Sequence, residues 1–384
     1  MMSCKKICIV SAQYLPHVGG VENYVYNLSS ELASRGHKVT IITSYIEGTE
    51  AYEKNGNIEI YRLPSLQLMN GRFPILKNNK ETKRVKKELL QKNFDLMLVN
   101  TRFYFISLWA LKLAKKAGWR AVVLDHGSAH INTGGALTSA IGQLFEHWIT
   151  WREKKYCKEF AGVSRAVLQW IEHFKIYSST VLYNSIDVDK FIELKSNSCR
   201  DFRAELGIPK DDIVITFVGR LTLEKGLHLL TEAVKKINEA RDDVWLLIAG
   251  AGYLRERLEP SASKNTIFVG QIPTPEVAAL MACSSILCLP SLSTEGFPTC
   301  ILEGVVCDNY IITTSGGGAK ELITDRDYGI VLAENTAECL YDAIVGVLDE
   351  KEYRERATRL CYDRVINNYT WKHTADAILS LINK

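Results

Sequence analysis

Pro290 to Glu303 reads P-S-L-S-T-E-G-F-P-T-C-I-L-E. Just before it, Ile286-Leu287-Cys288-Leu289 is a short continuous apolar run, the pattern of a strand buried on both faces of a parallel sheet. Gly296 and Pro298 then break the chain, and Thr299 to Val306 reads as a helix. Two carboxylates therefore sit eight positions apart, Glu295 in a strand-to-helix loop and Glu303 about a turn into the helix. In an open α/β sheet, ligands bind outside the carboxyl ends of the strands. The N–H groups that open a helix favour an anion. An anion-binding turn between two hydroxyl-accepting carboxylates suits a ligand with a phosphate and several hydroxyls, as in a sugar nucleotide.

Working outward, the 384-residue chain is long enough for two domains, each with its own core. Its apolar and charged fractions, 47% and 24%, are those of an ordinary globular protein. The ten cysteines form no C-x-x-C pair and no metal-ligand spacing, and several lie in apolar runs. They read as small buried hydrophobes in a reducing compartment. No stretch approaches the roughly 18–20 apolar residues of a membrane span, and no signal peptide precedes the first strand, so the expected location is cytoplasmic. The net charge of +3 hides an asymmetry. Residues 1–200 hold 28 Lys and Arg against 17 Asp and Glu, a balance of +11; residues 201–384 hold 19 against 27, a balance of −8. Opposite signs predict two domains with different partners. The densest basic run, Lys77 to Lys92, reads as a solvated helix face or as a surface drawn to anionic lipid or a phosphate-bearing acceptor. Nothing in the sequence points to nucleic acid.

The first half opens with the apolar run Ile7-Cys8-Ile9-Val10, a loop containing Gly19-Gly20, a helix with apolar Val25, Leu28 and Leu32, and a second strand at Val39–Ile42. Paired glycines before a helix let the backbone approach a ligand and adopt φ > 0. Further strands are expected at 58–61, 95–99, 121–124, 160–164 and 180–184, with helices at about 80–92 and 104–117. The strand at 121–124 ends in Asp125-His126-Gly127, and Asn100 and Arg102 follow the strand before it. All sit at strand carboxyl ends; Asn100 and Arg102 are candidates for an acceptor pocket on position alone. Leu137 to Tyr156 is amphipathic and aromatic-rich, a core helix or a membrane-surface helix.

Polar residues from Glu193 to Arg200 mark a linker, and a second βαβ series starts at Ile213–Val218. That strand ends in Gly219-Arg220, followed by Glu224-Lys225-Gly226. An Arg and a Lys five residues apart around one loop can both reach a diphosphate, the Arg as a planar fork and the Lys as a point charge. They would stabilise charge on a departing nucleoside diphosphate. The next strand, Val244–Ala249, leads into Gly250-Ala251-Gly252, which lacks the third glycine of a dinucleotide fingerprint because Arg255 stands there. Ile267–Gly270 with Gln271-Ile272 continues the alternation, as does Tyr310–Thr313 ahead of Gly316-Gly317-Gly318. Helical patterns at 336–349, 351–367 and 372–383 finish the chain.

E-G-F-P-x-x-x-x-E after a strand ending in Pro-Ser resembles the E-x7-E signature of family 4 glycosyltransferases. P-x-x-G-G-V-E, G-R-x-x-x-E-K-G and N-S-I-D-x-x-x-F agree with it across nearly the whole chain, with Ser185 in place of the usual glycine. The resemblance implies an α/β, GT-B fold: two doubly wound Rossmann-like domains facing a central cleft. The acceptor domain would span 1–190, the donor domain 201–368, and a last helix, 369–384, would pack back on the first domain. It implies a retaining hexosyltransferase using a nucleotide sugar, UDP-sugar over GDP-mannose. The expected acceptor is a hydroxyl of a glycan or lipid-linked intermediate in cell-envelope polysaccharide or glycolipid synthesis, with peripheral docking on the cytoplasmic membrane face. Glu295, His126 and Glu303 would be the catalytic set. Gly19, Gly20, Arg220, Lys225, Gly250, Ile272, Gly296, Phe297, Pro298, Thr299 and Glu303 would hold the donor, and Glu22, Asn100 and Arg102 would lie on the acceptor side. Two D-x-D triplets, at 187–189 and 325–327, fall outside the crevice loops. With Arg220 and Lys225 supplying positive charge, no metal and no further cofactor is expected. The alternatives are an NAD-dependent Rossmann oxidoreductase, which the incomplete G-A-G disfavours, and a non-catalytic sugar-nucleotide-binding subunit.

Overall fold

The structure, a computed structural model, describes residues 3–17, 19–68, 71, 73–130, 135–197, 200–292 and 295–383. Ser293 and Thr294 of the E-x7-E stretch, and Cys199, lie outside the described residues. The chain divides into two compact units, residues 1–184 with 371–384, and residues 185–370.

The first unit is built on β1 (Lys6–Val10), β2 (Lys38–Ser44), β3 (Tyr52–Asn55), β4 (Ile58–Leu63), β5 (Ser65–Leu68), β6 (Phe73–Leu76), β7 (Leu96–Asn100), β8 (Ala121–Asp125) and β9 (Glu159–Gly162). Seven of these form one sheet in the order β3-β4-β2-β1-β7-β8-β9, parallel except for the β3–β4 edge pair. Ile7, Cys8, Ile9 and Val10 of central β1 are fully buried, as are Leu96 to Val99 of its neighbour β7. Helices on both faces of such a sheet leave its strands no polar side, so the strands read as apolar runs. β5 and β6 form a separate antiparallel hairpin. Helix Trp371–Asn383 belongs to this unit. The Trp371 ring meets Tyr24 edge-on at 5.1 Å, Arg35 Nη2 donates to Lys372 O at 2.9 Å, and Thr374 Oγ1 donates to Tyr183 O at 3.0 Å.

The second unit holds β10 (Ile213–Val218), β11 (Val244–Ala249), β12 (Thr266–Gly270), β13 (Ile286–Leu289), β14 (Tyr310–Thr313) and β15 (Ile330–Val331). The order is β12-β11-β10-β13-β14-β15, all parallel. This is the 3-2-1-4-5-6 Rossmann order, with its topological switch point between β10 and β13. Phe202, Ile208, Val214, Leu247, Ala249, Ala279 and Leu280 form a core cluster on this sheet.

Three expectations change. The polar run 193–200 is not a loose linker, since helix Val188–Asn197 runs through most of it. Phe191 is the buried residue of that helix. Residues 180–184 do not form a strand; Val181 makes an isolated parallel bridge with Gly162. The φ > 0 expected of the paired glycines is also absent: Gly19 is extended, at φ −163°, and Gly20 starts the helix.

Candidate active site

Chemistry in the second unit gathers at its switch point. Lys225 follows β10 and Glu295 follows β13, and Lys225 Nζ donates to Glu295 Oε1 at 2.6 Å. Ser291 Oγ donates to the same oxygen at 2.6 Å. The partner of Lys225 is therefore Glu295, seventy positions away, and not the adjacent Glu224. Backbone contacts set this pairing. Leu292 N–H donates to Glu224 O at 2.8 Å, and Gly226, at φ +69°, lies so close that a Cβ there would stand 1.9 Å from Pro290 O. Only glycine fits a left-handed residue pressed onto another backbone. A third loop supports the second: Gly318 N–H donates to Gly296 O at 3.0 Å, and a Cβ on Gly317 would stand 1.8 Å from Glu295 O. Thr314 Oγ1 also donates to Ser291 O at 2.6 Å. The triple glycine thus cradles the Glu295-Gly296 backbone.

Phe297 and Pro298 are buried, the Phe297 ring lying 5.3 Å from Tyr369, and they aim helix Thr299–Val306 so that it opens beside Glu295. Thr299 is the first residue of that helix. Glu303, part-buried one turn in, has its carboxyl pushed up to about 7 by burial. The Cys300 thiol is pushed up by burial, then by Glu295 and Glu303, against Lys225, so all three charged groups surround it. Arg220 is exposed at the end of β10, and among the described residues no ion pair holds it. Gly250 serves packing: a Cβ there would stand 1.8 Å from Gly219 O, and Leu221 N–H donates to Ala251 O at 2.9 Å. The G-A-G turn is thereby braced against the Arg220 loop. Ile272 packs on the core cluster.

In the first unit the switch point lies between β1 and β7. Asn100 Nδ2 donates to Val10 O at 3.2 Å, joining the two strand ends, and its Oδ1 lies 2.9 Å from His126 Nε2. With the amide so oriented, His126 carries its proton on Nε2 and keeps Nδ1 as an acceptor. Burial holds its pKa down at about 4, against the pull of Asp125, so the ring is neutral at ordinary pH. Tyr24 meets it edge-on at 4.9 Å. Arg102 does not present a guanidinium to an acceptor. It is 1% exposed, pairs with Asp125, donates to Thr150 Oγ1 at 3.2 Å and lies 3.7 Å over the Phe174 ring. The residues on either side, Thr101 at φ +65° and Phe103 at φ +70°, sit in the left-handed region. Such conformations cost about 1–3 kcal/mol each, and the Arg102–Asp125 pair fixes the loop that carries them. Glu153, fully buried nearby, has its carboxyl raised well above the usual range by burial, with Asp125 adding and Arg102 opposing.

Glu22 is buried in the first helix, 3.3 Å from His17 Nδ1. Its carboxylate folds over Gly19, where a Cβ would meet Oε2 at 2.4 Å. Gly19 meets only this mobile carboxylate end, with no backbone close to it, and Gly20 has nothing within 4 Å of where its Cβ would be. A cavity of about 280 Å³ lined by Lys6, Lys38, Lys54 and Lys92 opens at the other end of this sheet, at the amino ends of β1 and β2. Ligands of open α/β sheets bind at carboxyl ends, so it is set apart from the site. Sequence reasoning misses Ser291 and Thr314 as site residues; the Pro-Ser that follows β13 is the available signal for the first. Among the described residues no helix is long and apolar enough to cross a membrane.

Comparison with known proteins gives matches over most of the chain. The profile "Glycosyltransferase Family 4" matches residues 18–190, and "Glycosyl transferases group 1" matches residues 199–361. An uncharacterized glycosyltransferase of Methanocaldococcus jannaschii is 23% identical over 382 residues, covering 96% of this chain and 95% of the relative. A phosphatidylinositol N-acetylglucosaminyltransferase subunit of Arabidopsis thaliana is 25% identical, covering 96% of this chain and 80% of the relative. Among solved structures, Anabaena HepE in complex with UDP superposes with a TM-score of 0.74 at 14% identity, covering 99% of each chain, and it has also been solved with UDP-glucose.

Proposed function

Since the chain belongs to the family 4 glycosyltransferases and has their GT-B fold, we propose that it moves a sugar, with retention of anomeric configuration, from a UDP-sugar to an acceptor hydroxyl. The acceptor proposed is a glycan or a lipid-linked intermediate of cell-envelope polysaccharide or glycolipid synthesis. The observation that carries this reading is the Lys225–Glu295 pair, braced at the switch point beside the opening of helix Thr299–Val306.

In this proposal the donor diphosphate takes Lys225 from Glu295, gains exposed Arg220, and accepts from the N–H groups of the helix opening. Glu295, with the backbone of Gly296 to Thr299, then holds sugar hydroxyls, and Glu303 holds the ribose. The turns at Gly250 and Ile272 border the nucleoside, and Gly19 and Gly20 contribute backbone to the donor. His126, neutral with Nδ1 as acceptor, faces the transferred sugar; Asn100 sets its tautomer, and Glu22 lies on the acceptor side. The bond from the anomeric carbon to the diphosphate oxygen breaks as the acceptor oxygen bonds to the same face. The acceptor proton passes to the leaving phosphate, and Lys225 and Arg220 neutralise the charge left there. These cations make a metal on the diphosphate unnecessary. The choice of UDP draws support from HepE, solved with UDP and UDP-glucose, and the lipid acceptor from the name of the Arabidopsis relative.

A lipid acceptor requires the enzyme to reach a membrane surface, in this reading from the cytoplasmic side. Helix Ala136–Glu153 exposes Ile141, Leu144, Trp148 and Trp151, spaced three, four and three apart on one face, while Ile149 is fully buried. Lys155 Nζ sits 3.4 Å from the Trp151 ring centroid. Such a face with flanking cations suits the boundary of an anionic bilayer. It is a better docking element than helix Lys80–Leu89, where Arg84 is already paired with Glu81 and Glu88. The test is transfer of radiolabelled sugar from a panel of UDP-, GDP- and ADP-sugars to lipid and glycan acceptors in the presence of EDTA. Product with retained configuration from a UDP-sugar supports the proposal; inverted product, or use of another nucleotide alone, overturns the corresponding part. Vesicle flotation that is unchanged by Leu144→Glu with Trp148→Glu would remove the membrane face.

A further inference from the structure

Three of the eight histidines converge in the first unit, on residues that the transfer reaction does not use. His130 follows β8, His147 lies on helix Ala136–Glu153, and His173 lies in the short turn Glu172–Phe174. One ring nitrogen of each stands within 4.8 Å of those of the other two. His147 Nε2 and His173 Nε2 are 3.2 Å apart. Two imidazole nitrogens bound at about 2.0–2.1 Å to one tetrahedral zinc would stand about 3.3 Å apart, so this pair already has the spacing of two ligands.

The third imidazole also has a buried carboxylate partner. His130 Nδ1 lies 2.7 Å from Glu146 Oε2, and Glu146 is fully buried. A carboxylate on one imidazole nitrogen fixes the tautomer and leaves Nε2 as the lone-pair donor, the way metal-ligating histidines are oriented. The indole of Trp170 sets two of the rings: it stacks on His173 at 5.4 Å and meets His130 edge-on at 4.8 Å. A simple hydrogen bond between two neutral imidazoles would account for His147 and His173 alone. It requires neither the third histidine nor the buried carboxylate behind it.

We propose that His130, His147 and His173 bind one borderline divalent transition ion, Zn²⁺ as the reference case, with Glu146 as the outer partner of His130. Imidazole ligands select zinc, copper, nickel or cobalt over magnesium or calcium. The role is structural. Phe174 adjoins His173, packs 4.8 Å from the His147 ring, and lies under the Arg102 guanidinium. The ion would tie the 172–174 turn to the helix and to the loop after β8, holding the Arg102–Asp125 pair that supports the His126 end of that strand.

The experiment is calorimetric titration of Zn²⁺ into the chelator-treated, full-length protein, with metal analysis after gel filtration and melting curves with and without the ion. Expected is one zinc per chain and a raised melting temperature, since an ion bound only to the native state stabilises it. The double variant His147→Ala/His173→Ala should lose both effects, with zinc binding read directly by calorimetry and the melting shift taken against the variant's own zinc-free curve. Glu146→Gln should weaken zinc about 10- to 100-fold while keeping the stoichiometry. Substoichiometric binding to the wild type, or equal binding by the double variant, would overturn the site.

Discussion

At the switch point of the second sheet, Lys225 and Glu295 meet 2.6 Å apart with side chains 16% and 20% exposed. At the carboxyl ends of β7 and β8 in the first sheet, Arg102 and Asp125 also pair, each only 2% exposed. Both pairs join loops of neighbouring strands in a Rossmann-like sheet, and burial separates their uses. A solvent-touched pair can exchange one partner for an anionic ligand at little desolvation cost. A sealed pair cannot, because removing either partner leaves an uncompensated charge in the interior. The first sheet uses its ion pair to hold a loop in place and offers a neutral histidine; the second holds its charge ready.

The largest effect should come from the sealed pair. Arg102→Ala should cost about 3–5 kcal/mol, the range for breaking a buried pair, measured by urea unfolding; a loss like that of an exposed pair would erase the contrast. Next, Lys225→Ala should leave stability nearly unchanged and lower sugar transfer about 10²–10³-fold, as for loss of one electrostatic stabiliser, measured by initial rates. Gly226→Ala sharpens the comparison through backbone. A Cβ pressed onto Pro290 O at positive φ should cost about 1–3 kcal/mol and weaken UDP binding, because it separates the loops that carry Lys225 and Glu295.

The smallest effect is a pH slope. Glu303 is protonated below about 7 and ionised above it. A carboxylate that accepts ribose hydroxyls binds better ionised, so UDP affinity should rise between about pH 6 and pH 8, by at most about tenfold per unit. Stability of the unliganded protein runs the other way. A folded value above the ordinary 4.5 gives stabilisation that is present in acid and lost as pH rises through about 7. Glu303→Gln should flatten both slopes in calorimetry and in melting curves.

Much of this comparison was legible in the chain. The continuous apolar runs at β8, β10 and β13, each followed closely by a glycine or proline, fix parallel strands and put His126, Lys225 and Glu295 at carboxyl ends. What the chain could not show is which loop touches which. Lys225 stands beside Glu224 in sequence, and only the pressing of Gly226 onto Pro290 turns it toward Glu295. Burial was also out of reach: Arg102 reads as a free cation until Asp125, Thr150 and Phe174 enclose it. Strands β3, β5 and β6 escaped because they are only four residues long and form through edge or hairpin pairing and not through core burial. The histidine cluster is spread over 44 positions, and no sequence spacing announces it.

The most direct measurement is calorimetric titration of UDP into the wild type and into Lys225→Ala at one pH and ionic strength. Wild-type binding that falls by tenfold or more in the variant, with both proteins melting alike, is the expected result, at about 1.4 kcal/mol per tenfold. Equal UDP affinity in the two proteins would contradict the assignment of the Lys225–Glu295 loops as the donor site.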